Sequence, residues 1–220
     1  MTLQLSDVEV RVLGALVEKE ITTPEYYPLS VNALLNACNQ KSNREPVTNL
    51  DEGAVRNALR SLTDQALVRS ASGDSRVAKF EHHLNELYNF HRNEIAVLCV
   101  LMLRGLQTPG ELRTRTDRMY SFEDLDAVHS ALNLLMRREP PLVKMLPRLP
   151  GTKESRFMHL LGDAGPVLPA EAVPETRVEN SAMASGDHER IAQLEAEVAE
   201  LRRELETLRE QFASFQRQFQ

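Results

Sequence analysis

A repeat about 85 residues long, a helix, helix, helix, hairpin order in each copy and an unbroken heptad array at the C-terminus predict the fold class. It is mainly α with small β-hairpin wings: two tandem winged-helix domains followed by a coiled coil. The expected boundaries are residues 1–84 and 85–161 for the two domains, 162–188 for a disordered linker and 189–220 for the coiled coil.

Sliding the chain by 85 residues lays Glu9 to Leu13 over Glu94 to Leu98, Leu16 over Leu101, Lys19 over Arg104 and Thr23-Pro24 over Thr108-Pro109. Further on, Val55, Ala58, Leu59 and Leu62 match Val128, Ala131, Leu132 and Leu135 at an offset of 73. One supersecondary order occurring twice implies two copies of a small domain rather than a solenoid.

Local chemistry places each element. Ser6 with Glu9 three residues on is a capping box, and Leu5 with Val10 occupies the hydrophobic-staple positions, so a helix begins at about residue 7. Ser30 ahead of Val31, Leu34, Leu35 and Cys38 predicts a second, short helix, and Asp51 ahead of Val55, Leu59 and Leu62 a third. Leu67 to Arg69 and Arg76 to Phe80 around a Gly-containing polar turn predict a hairpin. In the second copy Thr108-Pro109-Gly110-Glu111 starts the second helix, Ser121 is expected to cap the third, and the hairpin strands fall in Leu142 to Leu146 and Ser155 to Leu161. The fall in offset from 85 to 73 gives the first domain about 12 extra residues, expected near Asn36 to Thr48 as a polar, Asn-rich insertion. Such an insertion beside the third helix is either a binding loop or a plain solvated connection.

The tail reads differently. From Gly162 to His188 the chain is rich in Ala, Glu and Ser, with Pro166, Pro169 and Pro174, a linker composition. Ile191, Val198, Leu205, Phe212 and Phe219 then fall at heptad position a, and Leu194, Leu201, Leu208 and Phe215 at d. In a parallel pair, Arg190 faces Glu195, Glu197 faces Arg202 and Glu204 faces Arg209, all opposite in sign, so a parallel homodimer is expected.

Composition narrows the function. No basic stretch leads into an apolar run at the N-terminus, and the longest apolar run, Ile95 to Leu103, is far too short to span a bilayer, so a cytoplasmic protein without membrane contact is expected. Cys38 and Cys99 read as separate buried thiols. The six histidines show no metal-ligand spacing, and no phosphate-loop, dinucleotide or nucleophile-elbow motif occurs. No metal, cofactor or catalysis is therefore expected. The net charge of -6 lies wholly in the tail: residues 1–161 hold 20 Lys+Arg and 20 Asp+Glu, residues 162–220 hold 6 and 12. A neutral folded region gives no bulk attraction to nucleic acid.

Binding must then rest on local faces. Arg56 and Arg60 project from the third helix of the first domain, with Lys41, Asn43 and Arg44 in the insertion and Arg76 and Lys79 on the hairpin. In the second domain the cations are Arg113, Arg115 and Arg118 ahead of the third helix and Lys153 and Arg156 at the hairpin, while Glu123, Asp124 and Asp126 oppose phosphate. Double-stranded DNA bound by the Arg56 and Arg60 face is the leading expectation. Glu52 and Arg56 also fit an ordinary surface pair. A protein-interaction adaptor, similar in layout to the tandem winged-helix subunits of chromosome-condensation complexes, is the alternative.

The stretches Thr22 to Glu25, Tyr27 to Asn32, Ala37 to Val47, Arg104 to Arg113 and Glu154 to Leu160 resemble the YceH-like family of bacterial proteins over roughly residues 3–161. The resemblance implies tandem winged-helix domains and carries no catalytic or ligand residues onto this chain.

Overall fold

Asp7–Thr22 (α1) begins where Ser6 and Glu9 close a capping box, the Ser6 amide donating to Glu9 Oε2 at 2.6 Å. In this computed structural model, which describes residues 3–71, 77–148 and 154–162, the chain continues through a short 3-10 turn at Pro24–Tyr26 to β1 (Leu29–Ser30), α2 (Val31–Cys38) and α3 (Glu52–Asp64). Next come β2 (Val68–Ser70) and β3 (Lys79–His82), which pair antiparallel. β1 adds to β3 on its other side, giving the order β1-β3-β2.

A short helix, α4 (Leu84–Tyr88), leads into the second copy: α5 (Arg92–Arg104), α6 (Pro109–Thr116), α7 (Leu125–Arg137) and the antiparallel pair β4 (Val143–Met145) and β5 (Phe157–His159). Here the counterpart of β1 shrinks to one antiparallel bridge, Gln107 with Phe157. The architecture is mainly helical with small antiparallel sheets. Residues 72–76 and 149–153, where the sequence places the hairpin turns, and the expected linker and heptad array beyond Gly162 lie outside the described residues.

Equivalent helices date the extra length. α1 and α5 begin at 7 and 92, α2 and α6 at 31 and 109, α3 and α7 at 52 and 125, so the spacing falls from 85 to 78 to 73. Three extra residues therefore lengthen α1, four sit in the connection to α2 and five in the loop before α3, rather than all of them near Asn36 to Thr48. The matched Thr23-Pro24 and Thr108-Pro109 are not equivalent: the first opens the 3-10 turn, the second starts α6. Ser121 also differs from expectation, because Asp124 caps α7 by accepting from the Ala127 amide, and Ser121 Oγ donates to Asp117.

Both repeats share one core within a compact unit spanning Met1–Ala172. α1 is buried from Glu9 to Glu18 and α5 from Glu94 to Leu103, so each is a central helix with hydrophobic neighbours on all sides. They pack on each other at Gly14, where a Cβ would come within 3.0 Å of Leu103 Cδ2 and 3.1 Å of Met102 Cβ. The Cys99 thiol donates to the Gly14 carbonyl at 3.4 Å across the same contact. The Leu5 amide also donates to the Leu161 carbonyl, tying the start of the first repeat to the end of the second. Among the described residues, no helix is long and apolar enough to cross a membrane.

Candidate nucleic-acid interface

α3 is set by its cap and its apolar stripe. Asp51 accepts from the Ala54 amide at 2.7 Å, and Val55, Ala58, Leu59 and Leu62 anchor the inner face. Arg56, Asn57 and Arg60 are left exposed on the outer face. Arg56 pairs with Glu52 at 2.7 Å, both side chains more than half exposed, a contact weak enough to yield to a phosphate or a base edge. Arg60 makes no hydrogen bond or ion pair with a described residue. Lys79 sits half-buried in β3 opposite Ser30. Arg76 and Lys153, also read from sequence as phosphate contacts, lie outside the described residues.

The loop before α3 is largely exposed but is tied into the fold by hydrogen bonds and one buried arginine. The Asn39 amide group donates to the Leu50 carbonyl and accepts from the Leu50 amide, both at 2.8 Å, closing the loop as a strand partner would. Thr48 Oγ1 donates to the Cys38 carbonyl, and the Glu45 amide donates to the Leu103 carbonyl of α5. Arg44 corrects the sequence reading: its side chain is 0% exposed, fully sequestered by Glu18, with Nη1 at 3.1 Å from Oε1 and Nη2 at 2.5 Å from Oε2. Its Nε donates to the Ala37 carbonyl and Nη1 also to the Asn43 carbonyl, and with the side chain fully buried a nucleic-acid phosphate cannot reach it. Arg11, also buried, donates to the Pro46 carbonyl. Asn43 holds a left-handed backbone (φ 59) and accepts from Arg104, leaving Lys41 as the exposed cation of the loop.

Most cations of the second repeat are spoken for as well. Arg113 donates to the Phe122 and Glu123 carbonyls, fastening the loop ahead of α7. Arg115 bonds Gln107 and lies 3.7 Å from Glu111, and Arg156 donates to the Leu106 carbonyl and to Glu111 at 3.0 Å. Arg118 is exposed and makes no hydrogen bond or ion pair with a described residue.

The family model described as "Protein of unknown function, DUF480" matches residues 5–152. The UPF0502 protein Acid345_3645 of Koribacter versatilis is 58% identical over 201 residues, 91% of each chain. The UPF0502 proteins of Solibacter usitatus and Geobacter sulfurreducens (GSU0233) are 53% and 52% identical, each over the full length of both chains. The chain belongs to the DUF480 (UPF0502) family. Membership agrees with the YceH-like resemblance read from the motifs.

In this DUF480 chain, sequence reasoning missed a cleft where the repeats meet. Its walls are Glu18 and Thr22 of α1, Asn43 of the loop, Val100, Leu103 and Arg104 of α5, and Arg115, Arg118 and Met119 at the end of α6. The one available signal was the alignment of Lys19 with Arg104, which reads just as well as a cation complementing each helix C-terminus.

Other titratable groups explain themselves by burial. It pushes the Cys38 thiol up to about 12 and Cys99 higher still, which makes both poor nucleophiles. Burial holds His159 down at about 4. Among the described residues, no group of three or more His, Cys, Asp or Glu side chains could hold a metal ion.

Proposed function

We propose that this chain is a non-catalytic, dimeric DNA-binding protein built from two tandem winged-helix domains. The strand order β1-β3-β2 behind three helices supports the winged-helix reading of the first repeat. The second repeat keeps the same element order with its first strand cut to a bridge.

The observation that carries the DNA reading is the outer face of α3. Its inner stripe is fixed in the core, and Arg56, Asn57 and Arg60 stand outward at helical spacing beside the β2-β3 hairpin. Arg reaches guanine O6 and N7, and Asn reaches adenine N6 and N7, from such a helix in the major groove. The heptads from Ile191 to Phe219 join two chains in parallel and present two copies of this face.

The test is anisotropy of a mixed-sequence duplex with the full-length protein across a salt series. Log affinity should fall with log salt by about 0.9 per phosphate contact, and Arg56→Ala with Arg60→Ala should weaken binding about tenfold or more. No binding at low salt, or a flat response, rejects the reading.

A second reading, a protein-interaction adaptor, is favoured by α7. At the positions of Arg56 and Arg60 in α3 its outer face carries His129 and Asn133, Asp126 adds a negative charge in its first turn, and Leu134 is 46% exposed. Capture of the same protein partners from lysate with and without nuclease supports it, and loss of all of them after nuclease rejects it.

A further inference from the structure

We propose that the cleft between the two repeats is a binding site for a small phosphate-type oxyanion, held by Arg104, Arg115 and Arg118 over an apolar floor of Val100, Leu103 and Met119. The cleft opens to solvent and holds about 40 Å³ of its own space. On the scale of a bound water that is room for one small tetrahedral oxyanion, with any organic body lying over the open mouth.

The charge on its walls is not balanced from within. Glu18 is the carboxylate lining the cleft, and both its oxygens are taken by Arg44. Arg104 donates to the neutral amide of Asn43. The nearest carboxylate to Arg115, Glu111, stands 3.7 Å away and is shared with Arg156 at 3.0 Å. Arg118 faces the cleft without a partner among the described residues. Burial, then the charge of Arg115, push the Arg104 guanidinium below its ordinary value, with Arg44 adding to the shift and Glu45 and Glu18 only partly opposing it.

Helix ends supply part of the compensation and no more. α1, α5 and α6 all finish near the cleft, and each C-terminus carries roughly half a negative charge. Three such ends offset about half of three guanidiniums. An oxyanion accepts from all three forks at once, a geometry in which Arg outperforms Lys. Because Arg104 comes from α5, Asn43 from the loop of the first repeat and Arg118 from beyond α6, the ligand links the two repeats. None of these residues lies on α3, so the site stands or falls apart from DNA binding.

The full-length protein is titrated with inorganic phosphate against sodium chloride at equal ionic strength, by calorimetry and by melting temperature. Saturable binding and a rising Tm are expected for phosphate. Arg118→Ala, an exposed change that should leave the Tm in chloride untouched, should weaken binding about tenfold, and Arg104→Gln likewise. Arg60→Ala should bind as the parent does. Phenyl phosphate binding tighter than inorganic phosphate assigns the site to an organic monoester using the apolar floor, and equal affinity assigns it to the free ion. Phosphate behaving like chloride overturns the proposal, as does parent-like affinity in both Arg118→Ala and Arg104→Gln.

Discussion

The two repeats end their hairpins on matching histidines with different company. His82 pairs with Val68 across β2-β3, and His159 with Val143 across β4-β5. Each uses Nδ1 to accept from the backbone amide two residues on, Leu84 at 3.3 Å and Leu161 at 3.4 Å. His82 then donates from Nε2 to Glu20 at 2.8 Å, whereas His159 has no such carboxylate partner and edges no closer to charge than the field of Asp7. The same contrast recurs in the loops. The first repeat fills its longer connection with a buried Arg44 and Glu18 pair, while the second uses Arg138, 23% exposed, to hold Glu94 and stack over Phe90. The two repeats share one element order and bury their polar groups by different partners.

The sharpest way to break that comparison is to strip the buried pair. Glu18→Ala leaves the Arg44 guanidinium uncompensated in the core, and urea unfolding should show a loss of about 3–5 kcal/mol. Glu18→Leu combined with Arg44→Met replaces charge by apolar volume and should cost less than Glu18→Ala alone. A loss below about 1 kcal/mol for Glu18→Ala would mean the loop is not pinned by this pair.

The histidines give the next largest effect, and it depends on pH. His159 titrates at about 4 when folded and near 6.5 when unfolded, so between these values the unfolded chain binds the extra proton. Its contribution is complete above about pH 6.5 and is lost as pH falls towards 4, up to about 3 kcal/mol in all. Unfolding measured at pH 7 and pH 4.5 should therefore show a steeper loss for the parent than for His159→Gln. Equal losses would place His159 in a solvated setting.

These devices show what the sequence exposes and what it hides. Periodicity and caps located α1, α2, α3, α5, α6 and α7, because Ser6, Ser30, Asp51 and Thr108 act through neighbours three residues away. α4 escaped because its five residues have no side-chain cap and a left-handed Asn89 ends them. The repeat offset counted the extra residues but not their division, since Thr23-Pro24 mimics a helix start that it does not make. Arg44 looked like a surface cation because its partner Glu18 is 26 residues away on another element. The arginine cleft was invisible for the same reason: Asn43, Arg104 and Arg118 meet only once α1 and α5 are packed. Arg56 and Arg60 were legible because a helix face is a local property.

The smallest effect tests the similarity of the repeats rather than their difference. Asp51 and Asp124 are 73 residues apart, the same spacing as α3 and α7, and accept from Ala54 and Ala127 at 2.7 and 2.8 Å. Both are exposed, so neither cap is strengthened by burial. Asp51→Ala and Asp124→Ala should each cost about 1 kcal/mol in urea unfolding, equal within error. Ser121→Ala removes only a surface contact to Asp117 and should stay within about 0.5 kcal/mol of the parent. A larger loss at Ser121 than at Asp124 would move the start of α7 back by three residues, and with it the register in which Asp126 and Leu134 face outward.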